Sequence, residues 1–211
     1  MTGLAIALAA FVGTHFLLSH PLRAPLAARL GAGGFRGFYS LVSFATLGWA
    51  IWTYRELGRQ APLWGATQWV WIVGAMLMWV ASVLLIGSFF GNPALPGAPR
   101  QERPQGVLAI TRHPMMWSFA IWALVHAIVI ATPKALLLDF AIAFLALAGA
   151  LGQDRKKRGM HGDKWMAWVD QTHFIPFGRG FANPGPKALI GGTLLFLLAT
   201  WLHPDTMGLW R

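Results

Sequence analysis

Histidines are the residues of this 211-residue chain whose type and position favour chemistry. His15 and His126 each lie inside an apolar segment, Leu4–Ser19 for the first and Met115–Ala131 for the second. Ionisable side chains are costly inside a membrane, so those found there usually have a function. Two imidazoles on different helices can ligate both faces of a b-type haem, which makes this pair our candidate metal site and catalytic centre. The alternative is that each imidazole only hydrogen-bonds a neighbouring helix.

A further histidine, His113, precedes Pro114 in the sequence Thr-Arg-His-Pro. Proline is favoured at the first position of a helix, where free N–H groups and the positive end of the helix dipole lie. With Arg112 beside it, this helix start would attract a carboxylate, a phosphate or a haem propionate. Arg23 and Arg36 are further candidates for binding the propionates. A basic helix cap at the membrane surface is the alternative.

The other sequence features exclude several kinds of site. His20 and His203 each precede a proline at the end of an apolar segment, which predicts a position at the membrane interface. The chain has no cysteine, and this excludes thiolate-ligated haem, iron–sulfur clusters and thiolate zinc sites. Walker, G-x-G-x-x-G and H-E-x-x-H motifs do not occur, so a nucleotide-driven pump is not expected. Any metal must therefore be held by histidine, aspartate or glutamate.

Transmembrane helices are the elements that must position these residues. Hydrophobic residues make up 56% of the chain and charged residues 11%, with a mean hydropathy of +0.53. Soluble proteins contain about 25% charged residues, so we expect lipid to be the solvent of this chain. The net charge of +10 comes from basic residues that lie between apolar segments. That pattern is typical of membrane topology, and we expect no nucleic-acid partner.

Hydropathy and length predict about six membrane-spanning helices. The fold class is therefore an all-α, polytopic transmembrane helix bundle that forms a single membrane domain over residues 1–211. The predicted spans are Leu4–Ser19, Phe38–Tyr54, Gln68–Ser88, Met115–Ala131, Ala135–Leu151 and Pro186–Leu202. Pro133 separates the fourth span from the fifth, because proline cannot continue a helix.

The basic residues predict how the bundle is oriented. Thirteen of the 17 Lys and Arg residues lie in or beside the first, third and fifth loops between the spans. The positive-inside rule places these loops in the cytoplasm and both termini outside. The fifth loop, residues 152–185, is the only long one. Within it, Asp163–Gln171 alternates tryptophans with polar residues, which predicts an amphipathic helix lying on the membrane.

Three parts of the chain resemble the NnrU family of membrane proteins. The resemblance covers about residues 4–180, and its parts occur in the family's order. The matching residues are Thr111–Pro114 with Trp122 and His126, Thr14–Phe16 with Pro21–Arg23 and Phe35–Ser40, and Gly162–Trp165 with Gln171–Phe177. Two positions depart from the pattern: Ala123 lies near the position of a cysteine, and His173 replaces a serine.

The resemblance implies two activities. Bacterial members are associated with nitrite and nitric oxide reduction in denitrification. The plant and cyanobacterial relative, zeta-carotene isomerase, is a haem b enzyme that isomerises a cis double bond of a carotenoid, and its haem ligands correspond to His15 and His126. The chain is then expected in a bacterial inner membrane, as a haem-dependent isomerase or a denitrification protein with an apolar small-molecule substrate. The missing cysteine puts equivalent haem chemistry in doubt.

Two alternatives remain open at this stage. The Arg-His-Pro motif is shared more distantly with isoprenylcysteine methyltransferases and sterol reductases. It supports a membrane methyltransferase that binds S-adenosylmethionine between His113 and the fifth loop, with Asp154, Asp163 or Asp170 bonding the ribose hydroxyls. The other alternative is a non-enzymatic accessory subunit that positions or assembles a respiratory complex.

Overall fold

The computed structural model describes residues 1–93 and 103–203. This part of the chain forms eight α-helices and no β-strand, which confirms the all-α prediction. The helices are α1 Thr2–Ser19, α2 Arg23–Glu56, α3 Gln68–Gly87, α4 Val107–Ile110, α5 Pro114–Ile130, α6 Pro133–His161, α7 Asp163–Gln171 and α8 Pro186–Leu202. Arg100 and Arg211, which contribute to the predicted orientation, lie outside the described residues.

The apolar segments predicted as spans fall within helices except for the last residue of two of them, Ser88 and Ala131, and their ends differ from the helix ends mainly in α2 and α6. Three helices start on a proline: Pro114 begins α5, Pro133 begins α6 and Pro186 begins α8. Proline suits this position because its missing N–H would have no partner there. Helices α1, α3 and α6 are long and apolar enough to cross a membrane, while α5 and α8 are shorter apolar helices. The chain is therefore a membrane protein; the count of six spans stays a prediction.

Two helices are longer than their apolar segments. Helix α2 starts at Arg23 and is interrupted at Gly31, whose φ of +70° suits glycine. Helix α6 continues to His161, through ten residues that the sequence predicts as loop. This extension is rich in lysine and arginine, which are good helix formers, so the helix persists after its apolar part ends at Leu151.

The main helices pack as a row in the order α2, α1, α6, α5, α3, α8. Leu4 and Leu8 of α1 pack against Ala50 of α2 and Ala141 of α6 at one end of the row. Near its other end, Val83 and Leu84 of α3 form a buried cluster with residues of α4 and α8. In this order α6 contacts both α1 and α5, and α3 contacts both α5 and α8.

Helix α7 has the bounds that the sequence predicts, Asp163–Gln171. Its apolar face packs against protein: Trp165 and Trp168 are buried with Leu108 of α4. The amphipathic pattern thus arises from contact with the bundle, because a helix with one apolar face can bury it against another helix as well as against lipid.

Candidate functional site

A charged cluster joins the start of α5 to the polar extension of α6. Arg112 donates two hydrogen bonds to one carboxylate oxygen of Asp154, from Nε at 2.9 Å and from a terminal nitrogen at 2.7 Å. His113 Nε2 lies 2.8 Å from the other carboxylate oxygen. Because an ionised carboxylate only accepts hydrogen bonds, His113 is the donor in this pair. The His113 side chain is fully buried and that of Asp154 is 18% exposed, so water weakens the interactions little.

The segment around Phe174 holds this cluster in place. The backbone carbonyl of Phe174 accepts a hydrogen bond from Thr111 Oγ1 at 2.7 Å and another from Trp117 Nε1 at 2.8 Å. The backbone N–H of Arg112 donates to the carbonyl of His173 at 3.0 Å. The Arg112 guanidinium also lies over the Phe174 ring, 5.4 Å from its centre, a cation–π contact. The start of α5 is thus bonded on one side to α6 and on the other to the segment that follows α7.

The cluster brings together parts of the chain that the resemblance identified separately. Thr111–Pro114 and the segment before Phe177 belong to the resembling residues, and Asp154 connects them through α6. From the sequence alone, Asp154 is a candidate only for bonding the ribose hydroxyls in the methyltransferase alternative. The sequence does mark Asp154 as a candidate partner for basic side chains, because it is the one acidic residue in the basic end of α6. Arg112 and His113 both bond to Asp154, so this arrangement clamps the start of α5 to α6.

The clamp changes the acidity of Asp154, which lies beyond the apolar part of α6. Burial raises the pKa of this carboxyl, but hydrogen bonds from His113 and Arg112, together with their charges, outweigh burial and hold the pKa below its ordinary value. An unfolded aspartate titrates near pH 4. The ionised carboxylate therefore stabilises the fold fully above about pH 4, and this stabilisation is lost as the pH falls through the lower pKa of the folded state.

We expect acid to unfold the wild-type protein partly through this carboxylate. The thermal midpoint in detergent should fall as the pH is lowered from about 6 to about 3. In Asp154→Asn, which cannot ionise at this position, the same change in pH should lower the midpoint by less. Equal pH dependence of the two proteins would show that Asp154 contributes nothing to acid sensitivity.

The two intramembrane histidines share one hydrogen-bonding arrangement. Nδ1 of His15 lies 2.7 Å from the carbonyl oxygen of Phe11, and Nδ1 of His126 lies 2.8 Å from that of Trp122. A carbonyl only accepts, so each neutral ring carries its proton on Nδ1 and leaves the lone pair of Nε2 free. Metal-binding histidines have this arrangement, because the second bond fixes the tautomer and the ring orientation. Each residue by itself therefore suits a metal ligand.

His15 and His126 lie on α1 and α5, and both of these helices contact α6. His15 lies four residues before the end of α1, on the predicted cytoplasmic side, whereas His126 lies twelve residues after the start of α5 on that side. With the end of α1 and the start of α5 at one membrane surface, a rise of 1.5 Å per residue gives a difference in depth of about 12 Å. Their ring neighbours differ as well: Phe11 and Tyr39 surround His15, while Trp122 lies against His126. The donor chemistry of each histidine fits haem iron, and ligation of one shared iron by both residues stays a prediction.

The three arginines proposed for the propionates lie at the end of the bundle where His15 is found. Arg23 is exposed at the start of α2, with its guanidinium 5.5 Å from the centre of the Phe35 ring. It also lies close to the polar extension of α6: burial, then the charges of Arg23 and Lys157, lower the pKa of Lys156. Arg36 is exposed on α2, and Arg112 belongs to the clamp. The basic charge at this end of the bundle therefore comes from α2, the start of α5 and the extension of α6.

Within residues 1–93 and 103–203, no three histidine, aspartate or glutamate side chains lie close enough to bind one metal ion. A site with more than two protein ligands is therefore not formed by the described residues. Haem iron differs from a bare metal ion in this respect, since the macrocycle supplies four ligands and the protein needs to supply only one or two.

The comparisons with known proteins agree with the resemblance seen in the sequence. The chain matches no curated protein and no solved structure. The family model described as NnrU protein matches residues 3–211, nearly the whole chain. Together with the apolar helices that can cross a membrane, this match shows that the chain is a membrane protein that belongs to the NnrU family.

Proposed function

We propose that this NnrU-family protein binds b-type haem in the membrane through the imidazole of His126. One observation carries the proposal: Nδ1 of His126 is bonded to the Trp122 carbonyl at 2.8 Å, which leaves Nε2 free for iron. The indole of Trp122 also stacks on the imidazole, with 4.2 Å between ring centres, and so restricts rotation of the ring. The chain has no cysteine, so a thiolate cannot be the ligand of haem iron, and histidine is a common alternative.

Haem bound here would supply an iron that transfers electrons or coordinates a small molecule or an alkene. The protein's own part is to hold one face of the macrocycle with His126 and to fix its imidazole through the Trp122 carbonyl. Leu124 and Ile128 on the same helix are exposed, so an apolar substrate can reach α5 from the bilayer. Nitrite or nitric oxide reduction and carotenoid isomerisation are the two reactions that the family suggests, in a bacterial inner membrane.

The methyltransferase alternative receives less support from the geometry. S-Adenosylmethionine would need open polar groups next to His113, and the His113 side chain is fully buried against Asp154 and Phe174. Arg112 likewise gives its hydrogen bonds to Asp154. A cofactor at this place would have to break the clamp before it gained any interaction.

Haem binding by the purified full-length protein tests the proposal. The protein, produced in haem-supplied cells and purified in detergent, should show a Soret band and about one haem b per chain. His126→Ala should weaken haem binding by at least about tenfold, since even loss of an outer partner of a metal ligand costs 10–100-fold. His20→Ala is the matched control, because His20 also bonds an i−4 carbonyl through Nδ1 but lies at the other end of the bundle. A colourless wild-type protein, or equal haem content in the two variants, would refute the proposal.

A further inference from the structure

A groove lies between the end of α1 and α6, at the predicted cytoplasmic side of the bundle. Its volume is about 360 Å³, which is within the range of about 300–1,000 Å³ for small-ligand sites. The residues that line it come from the end of α1, the turn after it and α6: Phe16, Leu17, His20, Pro21, Ala148, Leu151, Gly152 and Arg155. None of them belongs to the clamp or to the proposed haem site.

The groove changes from apolar to polar along both of its walls. One helical turn separates Phe16 from His20 at the end of α1, and one turn separates Leu151 from Arg155 in α6. Residues four apart lie on the same face of a helix, so each wall has an apolar side chain toward the membrane and a polar one toward the cytoplasm. Leu17 and Leu151 are exposed, so lipid can reach the apolar part.

Gly152 allows the two walls of the groove to meet. A Cβ atom at this position of α6 would lie 2.7 Å from Nε2 and 3.0 Å from Cε1 of His20. The imidazole of His20 can therefore pack directly on the backbone of α6 only because residue 152 has no side chain. This contact holds the end of α1 against α6 at the level where the groove becomes polar.

Within the described part of the chain, Arg155 forms no ion pair. The carboxylate of the neighbouring Asp154 bonds to Arg112 and His113, so its negative charge belongs to the clamp. Arg155 is exposed and lines the groove. A guanidinium in this position can donate two parallel hydrogen bonds to a phosphate.

Further positive charge lies beside Arg155. Residues Arg155 to Arg158 are four consecutive basic residues of α6, and Arg23 is close by, since burial and the charges of Arg23 and Lys157 lower the pKa of Lys156. Like charges repel one another, so an anion bound at this end of the groove is stabilised by all of them. Basic pockets between membrane helices on the cytoplasmic side are typical binding sites for the head groups of anionic lipids.

We propose that the groove between α1 and α6 binds one anionic phospholipid of the cytoplasmic leaflet. Its phosphate accepts hydrogen bonds from Arg155, and an acyl chain lies along Phe16 and Leu151. The order of polar and apolar groups in the groove matches the order of head group and acyl chain in a lipid. A soluble phosphate would leave the apolar part of the groove uncovered, so burial of apolar surface favours the lipid. Lipid binding here does not depend on haem binding at His126.

Binding of defined lipids to the full-length protein in detergent tests this site. Native mass spectrometry should show about one phosphatidylglycerol retained per chain, and several-fold less phosphatidylcholine with the same acyl chains. Glycerol phosphate, which carries the phosphate without acyl chains, should not displace the lipid at equal concentration. Equal binding of the two lipids, or displacement by glycerol phosphate, would overturn the proposal.

Two arginines of the same helix separate the groove from general surface charge. Arg155→Gln should weaken phosphatidylglycerol binding about fivefold, since one basic residue near anionic lipid contributes about 1 kcal/mol. Arg158→Gln is the matched control, because Arg158 is also exposed and loses the same charge but does not line the groove. Its effect should stay below about twofold, because salt screens a charge that does not contact the lipid. Equal losses in the two variants would show attraction to the basic surface as a whole and overturn the site.

Two leucines test the apolar part of the groove without changing its charge. Leu151→Ala should weaken phosphatidylglycerol binding at least about threefold, because it removes apolar surface that the acyl chain covers. Leu198→Ala in α8 is the matched control: Leu198 is 53% exposed and Leu151 is 50% exposed, and Leu198 lies outside the groove. Both side chains are exposed, so both variants should keep the thermal midpoint of the lipid-free protein. Equal lipid binding by the two variants would contradict an acyl chain in the groove.

Discussion

Replacing Asp154 with alanine should lower the free energy of unfolding by about 2–4 kcal/mol. The carboxylate is the common acceptor for Arg112 and His113, so its removal leaves two donors largely buried without a partner. The loss of one member of a buried ion pair costs about 3–5 kcal/mol, and the partial exposure of Asp154 reduces that value. Titration with a denaturing detergent, followed by circular dichroism, measures this change.

Two further variants show whether the clamp is responsible. Asp170→Ala removes an exposed aspartate from the nearby α7, and it should change the free energy of unfolding by no more than about 0.5 kcal/mol. Arg112→Ala combined with Asp154→Ala should cost clearly less than the sum of the single changes, because both remove the same interaction. Additive effects of the two changes, or equal stability of Asp154→Ala and Asp170→Ala, would contradict the clamp.

Gly192→Ala should destabilise the protein by about 2–3 kcal/mol or more, although alanine is the better helix former. A Cβ atom at this position of α8 would lie 2.5 Å from Cα and 2.7 Å from the backbone nitrogen of Val83 in α3. Backbone atoms cannot move aside as the end of a side chain can, so α8 would have to shift away from α3. The thermal midpoint in detergent measures this loss.

Two other glycines provide graded controls for that prediction. The nearest atom to a Cβ at Gly191 would be Cγ2 of Ile86, at 2.8 Å, and a side chain can shift at a smaller cost than backbone atoms can. A Cβ at Gly13 in α1 would meet nothing within 4 Å. We therefore expect a smaller loss for Gly191→Ala and no loss for Gly13→Ala. Equal midpoints for the alanine variants at 192 and 13 would show that the close approach of α8 to α3 does not limit stability.

Much of the helical structure could be predicted from local sequence. The predicted bounds of α7 and α8 agree with the structure, and Pro114 begins α5 as its position suggests. Local patterns suffice here because apolar length and proline act within one helix. Local patterns did not predict the extension of α6. A charged segment can leave the membrane as a helix or as a loop, and hydropathy does not distinguish the two.

The sequence by itself determined that the chain is an α-helical membrane protein and that its histidines are the residues to consider, because composition and periodicity depend on local residues alone. Only the tertiary structure decided which of them meet. It joins His113 to Asp154, and it places the ring of His126 next to that of His203. The physical reason is that contacts between distant residues depend on which helices are neighbours and on the depth at which each side chain lies. Those two properties follow from the packing of the whole bundle, and no single helix specifies them.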